Sequence, residues 1–502
     1  MSRYTPIEED ARFSESVLWK LQETAYQQFG PEAWTEKGVP FYLTSNPFTA
    51  RQYACLAIAY LRDCVKEERI DYTAPIYLFD LGAGTGRFAY QFLRFFRPML
   101  STLFPDVQIK YVMTDIVESN FTFWETHSYL KPGFAEGVLD SAYYFHSQKE
   151  ALFLRNEKID LEEFTNPIVL IGNYFFDTIP QDLFRVKDGT LQEGRVSLKA
   201  EGEWACYDNP KIISKLETNY SYRSVVDPRD YYVEKPLAAA VLQDYSETFD
   251  GTTFLFPIGA FDALDFFRMR SKKGFFLLAG DQGVSTEAQV RTSGEPKIDK
   301  HGTFSIAVSY HAIASYFQHA GGKALLPRDS DPLFVVIAAE MGLAASGELE
   351  VVFEQTFNYF EPKDYWNSVA FAEKDMKSLS LEYLLLLIKF GCYDPVNFAA
   401  FFEHIVAQLP EASEKTKKQL LNMLYPLWEA FFPVSAGEGT FVMNLGVIAF
   451  ELGAYRKALD FFLKAEAIMG EEPLLYQNMA ACFRRLGMHA DALRCTAKIK
   501  QK

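Results

Sequence analysis

Cysteine is scarce in this chain. Only six of 502 residues are cysteine (Cys55, Cys64, Cys206, Cys392, Cys482 and Cys495), with no Cys-x-x-Cys pair and no spacing that joins them to histidine. That argues against a disulfide framework or a zinc cage and fits a reducing compartment. The seven histidines (His127, His146, His301, His311, His319, His404 and His489) show no metal-ligand spacing, so no metal is expected. Positive charge is in deficit: 50 Lys plus Arg stand against 66 Asp plus Glu, a formal charge of −16. A nucleic-acid backbone demands a basic surface, so nucleic acid is not an expected partner. No apolar run approaches the ~18 to 20 residues that span a bilayer, and no membrane association is expected. The opening MSRYTPIEEDARF lacks the basic start and apolar stretch of a secretory signal and is acidic for a transit peptide. A cytoplasmic location is the expectation. Neither a Gly-x-Ser-x-Gly elbow nor a Cys–His arrangement suggests covalent catalysis.

Hydrophobic residues make up 49% and charged residues 23%, the balance of a folded protein. At roughly 150 residues per domain the length allows about two to four domains. Phe alone counts 45, which predicts cores built on aromatic rings.

Residues 1–69 read as a helical segment. Phe13, Val17, Leu18 and Leu21 keep a helical period within Ala11–Phe29, and Gly30-Pro31 breaks it. A second helix starts near Ser45 or Asn46, with Pro47 just inside. From about 70 to 340, short apolar runs alternate with helical stretches. Candidate strands are Ile76–Asp80, Ile109–Thr114, Ala142–Phe145, Ile168–Gly172, Phe275–Ala279 and Leu333–Ala338. Several are unbroken apolar runs, as strands covered on both faces require, and the alternation predicts an α/β unit with a mostly parallel sheet. Leu183–Lys187, Gly189 and Arg195–Lys199 predict a hairpin within an insertion over about 181–250.

Gly342, Ser346 and Gly347 mark a linker over 341–350, and 351–502 reads as all-helical. Asn444/Asn478, Leu452/Leu486, Gly453/Gly487, Ala458/Ala492 and Leu459/Leu493 are identical pairs 34 residues apart. That is the period of a tetratricopeptide repeat. Small residues such as Gly446 and Ala458 let the paired helices approach closely. Stacked hairpins of this kind form concave protein-binding surfaces, so a protein substrate or partner is expected there.

The sharpest motif is Asp80-Leu81-Gly82-Ala83-Gly84-Thr85-Gly86-Arg87-Phe88, between an apolar strand and a helical pattern. A dinucleotide fingerprint needs Gly-x-Gly-x-x-Gly, whose third glycine would fall on Arg87, and a P-loop needs Gly-Lys-Ser/Thr. The pattern resembles motif I of class I S-adenosylmethionine-dependent methyltransferases. Glycines allow the backbone to turn sharply and approach a ligand, and the helix start near Gly86 offers N–H groups to an anionic end. Asp80 can meet the ligand's ammonium. Asp115 ends the next strand, 29 residues after Gly86, where its two oxygens can accept both ribose hydroxyls. Gln148, after the third strand, is expected at the adenine ring. Asn173, beyond the strand Ile168–Gly172, is expected beside the transferable methyl, with Tyr174 and Asp177 facing the substrate.

The run Asn173-Tyr174-Phe175-Phe176-Asp177-Thr178-Ile179-Pro180 resembles the Asn-Glu-Phe-Phe-Asp-Ala-Leu-Pro signature of the MidA family. Tyr42–Pro47, Leu183–Val186, Gly274–Gly283 ending in Asp281, His301–Thr303 and Val308–Tyr310 resemble other pieces of that family, in the same order. The likeness covers about residues 40–340. It implies a Rossmann-like class I methyltransferase fold with N-terminal helices and an inserted lid, S-adenosyl-L-methionine as cofactor, and a protein substrate. Tyr174 stands where the family has Glu, and Val-Ser-Tyr where it has Val-Asp-Phe. A tyrosine cannot pair with a guanidinium as a charge. Two other readings therefore stay open: an inactive cofactor-binding interaction protein, and a small-molecule methyltransferase.

Overall fold

The computed structural model describes residues 4–30, 42–204 and 209–499, so Pro31 and Cys206 lie outside the described residues. The chain divides into two compact units: Met1–Thr44 with Gln52–Glu361, and Ser45–Arg51 with Pro362–Lys502. Among the described residues no helix is long and apolar enough to cross a membrane.

The first unit is built on seven strands: β1 (Ile76–Asp80), β2 (Ile109–Asp115), β3 (Leu139–Tyr143), β4 (Ile168–Ile171), β5 (Phe275–Asp281), β6 (Lys323–Leu325) and β7 (Val335–Met341). Their order is β3-β2-β1-β4-β5-β7-β6. The first five run parallel, while β7 lies antiparallel to both β5 and β6. This is the class I methyltransferase topology. Every residue of β1, β4, β5 and β7 is buried, which explains the unbroken apolar runs. The abundant phenylalanine fills the layer below: Phe79 of β1 lies 5.2 Å from the Phe164 ring and 5.1 Å from that of Phe267.

Helix α1 (Val17–Phe29) is capped by Ser16, whose hydroxyl accepts from Leu18 N–H. Helix α2 (Pro47–Lys66) is capped by Asn46, whose Oδ1 accepts the Thr49 N–H at 2.9 Å, with Pro47 first in the helix as expected. Helix α3 (Arg87–Leu103) starts directly after Gly86.

The N-terminal segment is not wholly helical. Tyr4–Arg12 is a strand, paired antiparallel with Thr190–Glu201. The expected hairpin, Asp182–Lys187 against Thr190–Glu201, turns at Asp188-Gly189 with both φ values positive. Together with Leu216–Ser224 and Thr253–Phe256 these strands make a second, five-stranded antiparallel sheet. The chain's start and its insertion therefore fold as one element. Arg12 joins them: Nε donates to Asp182 Oδ1 at 2.9 Å and Nη2 to Oδ2 at 2.5 Å, while Tyr232 also donates to Oδ2. Asp182 is 1% exposed.

The linker expected over 341–350 is a second correction. Residues 342–346 are irregular, but a helix, Gly347–Thr356, begins inside the expected linker, and the first unit continues to Glu361. Asp63 of α2 accepts the N–H groups of Glu348 and Leu349 at 3.1 and 3.0 Å, anchoring that start.

The described residues of the second unit are largely helical from Pro362 onward. Its last four helices, Gly439–Glu451, Tyr455–Met469, Pro473–Arg485 and His489–Ile499, form two hairpins whose members begin 34 residues apart (439 and 473; 455 and 489). At Gly446 a Cβ would lie 2.5 Å from the Phe462 ring, so only glycine permits this approach of the two helices.

Replacing Arg12 by Met leaves the Asp182 charge buried without its cation. Urea unfolding should report a loss of about 3 kcal/mol, within the range for a broken buried pair; a loss below ~1 kcal/mol would show that the pair does not hold the two segments together.

Candidate functional site

In the strand order, the chain turns in opposite directions from β1 and β4, which leaves a crevice beyond their carboxyl ends. The glycine loop occupies the β1 side. Leu81 N–H donates to Ile171 O at 2.8 Å and Ala83 N–H to Thr114 O at 2.8 Å, so the loop is stitched to β4 and β2. Gly82, Gly84 and Gly86 have φ of 67°, 55° and 76°. At Gly86 a Cβ would also fall 2.7 Å from the Met113 methyl, and at Gly82 it would crowd the Phe175 ring at 3.3 Å. Gly86 is the N-cap of α3 with no side-chain cap, so the first N–H groups of that helix have no side-chain acceptor from the cap.

Asp115 organises the β2 side. Its Oδ1 accepts the N–H groups of Ile116 and Val117 (2.8 and 3.0 Å), and its Oδ2 accepts Gly84 N–H (3.2 Å) and Asn120 Nδ2 (2.8 Å). Four donors fill the carboxylate's capacity. Asn120, 2% exposed in helix α4 (Glu118–Thr126), keeps its Oδ1 buried and unpartnered. Burial raises the Asp115 carboxyl above its ordinary range despite these bonds. Asp80 sits deeper, 3% exposed, and accepts the Tyr111 hydroxyl at 2.9 Å. Burial pushes its carboxyl up to about 7.

Beyond β4, Asn173 Oδ1 accepts the Tyr53 hydroxyl at 2.9 Å, while its Nδ2 is buried with no partner. Tyr174 adopts φ +48°, a conformation non-glycine residues rarely take, and its N–H donates to Gly280 O at 3.0 Å. Asp177 is 3% exposed; its N–H donates to Asp281 Oδ2 at 3.2 Å.

A cavity of about 310 Å³ joins these parts. Gly82, Asp115 and Asn120 line one side and Tyr174, Phe175 and Thr178 another, with Phe145 and His146 between. Helix α1 roofs it with Trp19, Gln22 and Tyr26. The roof is fastened: Gln22 Nε2 donates to Phe304 O at 2.5 Å and its Oε1 accepts Phe304 N–H at 2.9 Å, while the Trp19 ring lies 5.7 Å from Phe304. Burial, with Lys235 nearby, lowers His146 to about 4, so its ring is neutral at pH 7.

The structure brings Gly82, Asp115 and Tyr174 to the cavity wall, while Asp80, Gly84, Gly86, Asn173 and Asp177 lie just behind it. Gln148 is a correction. Its Nε2 donates to the carbonyls of Glu150 and Ala151, both at 3.2 Å, and it faces a separate surface groove; Phe145 and His146 occupy the place expected of it. The strand Leu139–Tyr143 ends two residues earlier than the sequence pattern suggested, which turns Gln148 away. Sequence reasoning also passed over Trp19, Gln22, Tyr26 and Asn120, whose only signal is a helical period. Among the described residues no group of His, Cys, Asp and Glu is placed to hold a metal ion.

Residues 62–325 match the model of a family described as "Putative S-adenosyl-L-methionine-dependent methyltransferase". The chain belongs to this methyltransferase family. Its cofactor is S-adenosyl-L-methionine and its reaction class is methyl transfer. A Burkholderia thailandensis protein crystallised with S-adenosyl-homocysteine is similar to the chain, at 16% identity over 68% of this chain and 90% of that one, TM-score 0.43. An uncharacterised protein from the same organism gives 14%, 68%, 90% and 0.42. An O-methyltransferase family protein of that organism gives 9%, 65%, 73% and 0.26. A comparison with curated proteins finds no match. The residues present suit the cofactor. The cavity lies within the roughly 300–1,000 Å³ common for small-molecule sites, is walled by aromatic rings, and has the unpartnered Asn120 Oδ1 at its edge.

The Asp80 carboxyl holds a proton in the folded chain from pH ~4 to about 7 that the unfolded chain releases. Its contribution to stability is therefore lost as pH rises through that window. Asp80→Asn should gain on wild type by up to about 1.4 kcal/mol per pH unit between pH 5 and 7, read by urea unfolding; a constant difference would mean that Asp80 is already ionised.

Proposed function

We propose that the chain methylates a protein acceptor, with the Gly82–Gly86 loop and Asp115 binding the cofactor and the Asn173–Asp177 turn facing the acceptor. The observation that carries this is a single cavity lined by Gly82 and Asp115 on one side and Tyr174 and Thr178 on the other. Bound there, S-adenosyl-L-methionine supplies a methyl group activated on a sulfonium. The loop's main chain and the start of α3 offer N–H groups to a carboxylate. Asp80, from behind, meets an ammonium through water. Asp115 shares the ribose hydroxyls with Asn120, which gives up its bond to Asp115 or accepts a hydroxyl on its free Oδ1. Phe145, Phe175 and the neutral His146 suit an adenine ring. Asn173 Nδ2, buried with no partner, is a donor for the acceptor group.

Support for a protein acceptor comes from the second unit. Its 34-residue helical hairpins have the period of tetratricopeptide repeats, and repeat stacks of this kind dock extended protein segments. A second reading, cofactor binding without transfer, draws on Tyr174, which stands where the MidA signature has Glu, and on Ser309, which stands where that family's later Val-Asp-Phe piece has Asp.

Two measurements test the proposal. Asp115→Ala should weaken S-adenosyl-homocysteine binding in calorimetry by about 1 to 3 kcal/mol, roughly 5- to 150-fold; unchanged affinity removes Asp115 from the site. Extract treated with cofactor carrying a tritiated methyl should yield a labelled protein band with wild type and none with Gly84→Arg. Label only in small molecules would favour the small-molecule reading, and binding with no label anywhere the inactive one.

A further inference from the structure

A buried acid pair lies behind the cavity wall at the carboxyl ends of β4 and β5. Asp177 and Asp281 are 3% and 0% exposed. Asp281 accepts Gln282 N–H on Oδ1 at 2.7 Å and Asp177 N–H on Oδ2 at 3.2 Å. The side chains of Asp281 and Ser305 lie against the Asp177 carboxyl, yet Asp177 Oδ1 has no hydrogen-bond partner. No lysine or arginine among the described residues pairs with either acid. The groups that face them are phenols: Tyr26 from α1, Tyr53 from α2, Tyr174 from the loop after β4, and Tyr310, which opens helix α5 (Tyr310–His319). Tyr310 is 0% exposed, and its hydroxyl, set among Asp281, Tyr53, Asp177 and Tyr174, is also without a partner. Two acids without a cation, beside an unbonded buried hydroxyl, cost the fold free energy that no packing requirement explains. Such groups concentrate where chemistry uses them.

The pair adjoins the cavity through the turn after β4, where Thr178, next in sequence to Asp177, lines it. Tyr174 also lines that cavity, and so does Tyr26, whose phenol is raised above its usual range by burial with Asp177, Asp281 and Asp115 nearby. Tyr26 thus spans from the Asp115 side to the acid pair. Resting on the methyltransferase reading above, we infer that Asp177 and Asp281 are the proton-accepting pair of this site, Asp177 Oδ1 receiving the proton that the methyl acceptor gives up and Asp281 acting as a positioning residue. Burial holds both carboxyls above the ordinary range; the neighbouring Asp177 raises Asp281 further, while the hydrogen bond from Asp281 draws Asp177 part of the way back. Two buried carboxyls in contact favour keeping one proton between them, which leaves the other oxygen pair as the acceptor. That suits a neutral nitrogen or oxygen nucleophile that still bears a hydrogen. As its lone pair bonds to the methyl carbon, the carbon–sulfur bond breaks with its electrons passing to sulfur. The acceptor's proton goes to Asp177, so the sulfonium and carboxylate charges are cancelled together.

Sinefungin tests this, because it carries an amine on carbon where the cofactor carries its methyl on sulfur. Calorimetry on the full chain at pH 7.5 compares it with S-adenosyl-homocysteine. Wild type should prefer sinefungin by about ten-fold or more, and the preference should fade as pH falls through about 6, where Asp177 takes up its proton. Asp177→Asn should bring the two affinities within about three-fold of each other. Asp281→Ala, which removes the hydrogen bond favouring charge on Asp177, should move the onset of the preference upward by about one pH unit or more. Absence of preference in wild type, a preference unchanged down to pH 5, or one that survives Asp177→Asn overturns the inference. If wild type binds neither ligand, the cofactor reading itself fails. Should Asp177→Asn bind neither ligand, the wild-type pH profile decides.

Discussion

One buried carboxylate sets the geometry on which the rest depends. Asp115 accepts four hydrogen bonds, from Ile116, Val117, Gly84 and Asn120, and so pins the glycine loop after β1 to the end of β2 and to helix α4. A loop of three glycines in left-handed conformations has no intrinsic preference for one path. The bond from Gly84 selects it, with Trp124 closing from the other side through Gly84 O at 2.8 Å. The same carboxylate lines the cavity, so the group that shapes the loop is also the one proposed to read the cofactor's sugar.

The opposite wall is built differently. The turn after β4 holds Tyr174 in a costly conformation, buries Asp177 against Asp281, and leaves single atoms of Asn173 and Asp177 without partners. Strain and unmet hydrogen bonding converge within five residues of that turn. Helix α1 covers both walls through the Gln22 and Trp19 contacts to Phe304. The second sheet, locked by Arg12 and Asp182, holds that roof in place from the strand that precedes it.

Much of this could be read from the sequence because the signals were local. Unbroken apolar runs marked β1, β4 and β5, since strands buried on both faces leave no polar positions. Pro47 after Asn46 marked the start of α2, and pairs of residues 34 apart marked the terminal hairpins. What escaped was non-local or carried a weak pattern. Tyr4–Arg12 is acidic and half exposed, and becomes a strand only because Thr190–Glu201 offers it an edge far along the chain. Gly342 to Gly347 looks like a linker, yet its glycines serve close approach and a helix start: a Cβ on Gly342 would meet Gly274 Cα at 2.8 Å. Gln148 was placed by strand count alone, and an earlier strand end turned it outward. Asp281 was visible as a motif residue, but its pairing with Asp177 exists only in three dimensions.

The central claim is that the cavity between the Gly82–Asp115 side and the Tyr174–Thr178 side takes the cofactor. Amide hydrogen exchange of the full-length chain, with and without S-adenosyl-homocysteine, tests it directly. The account predicts slowed exchange in three separate stretches: 81–86, 115–120 and the roof helix Val17–Phe29. Exchange unchanged in all three, or slowed only elsewhere in the chain, would contradict it.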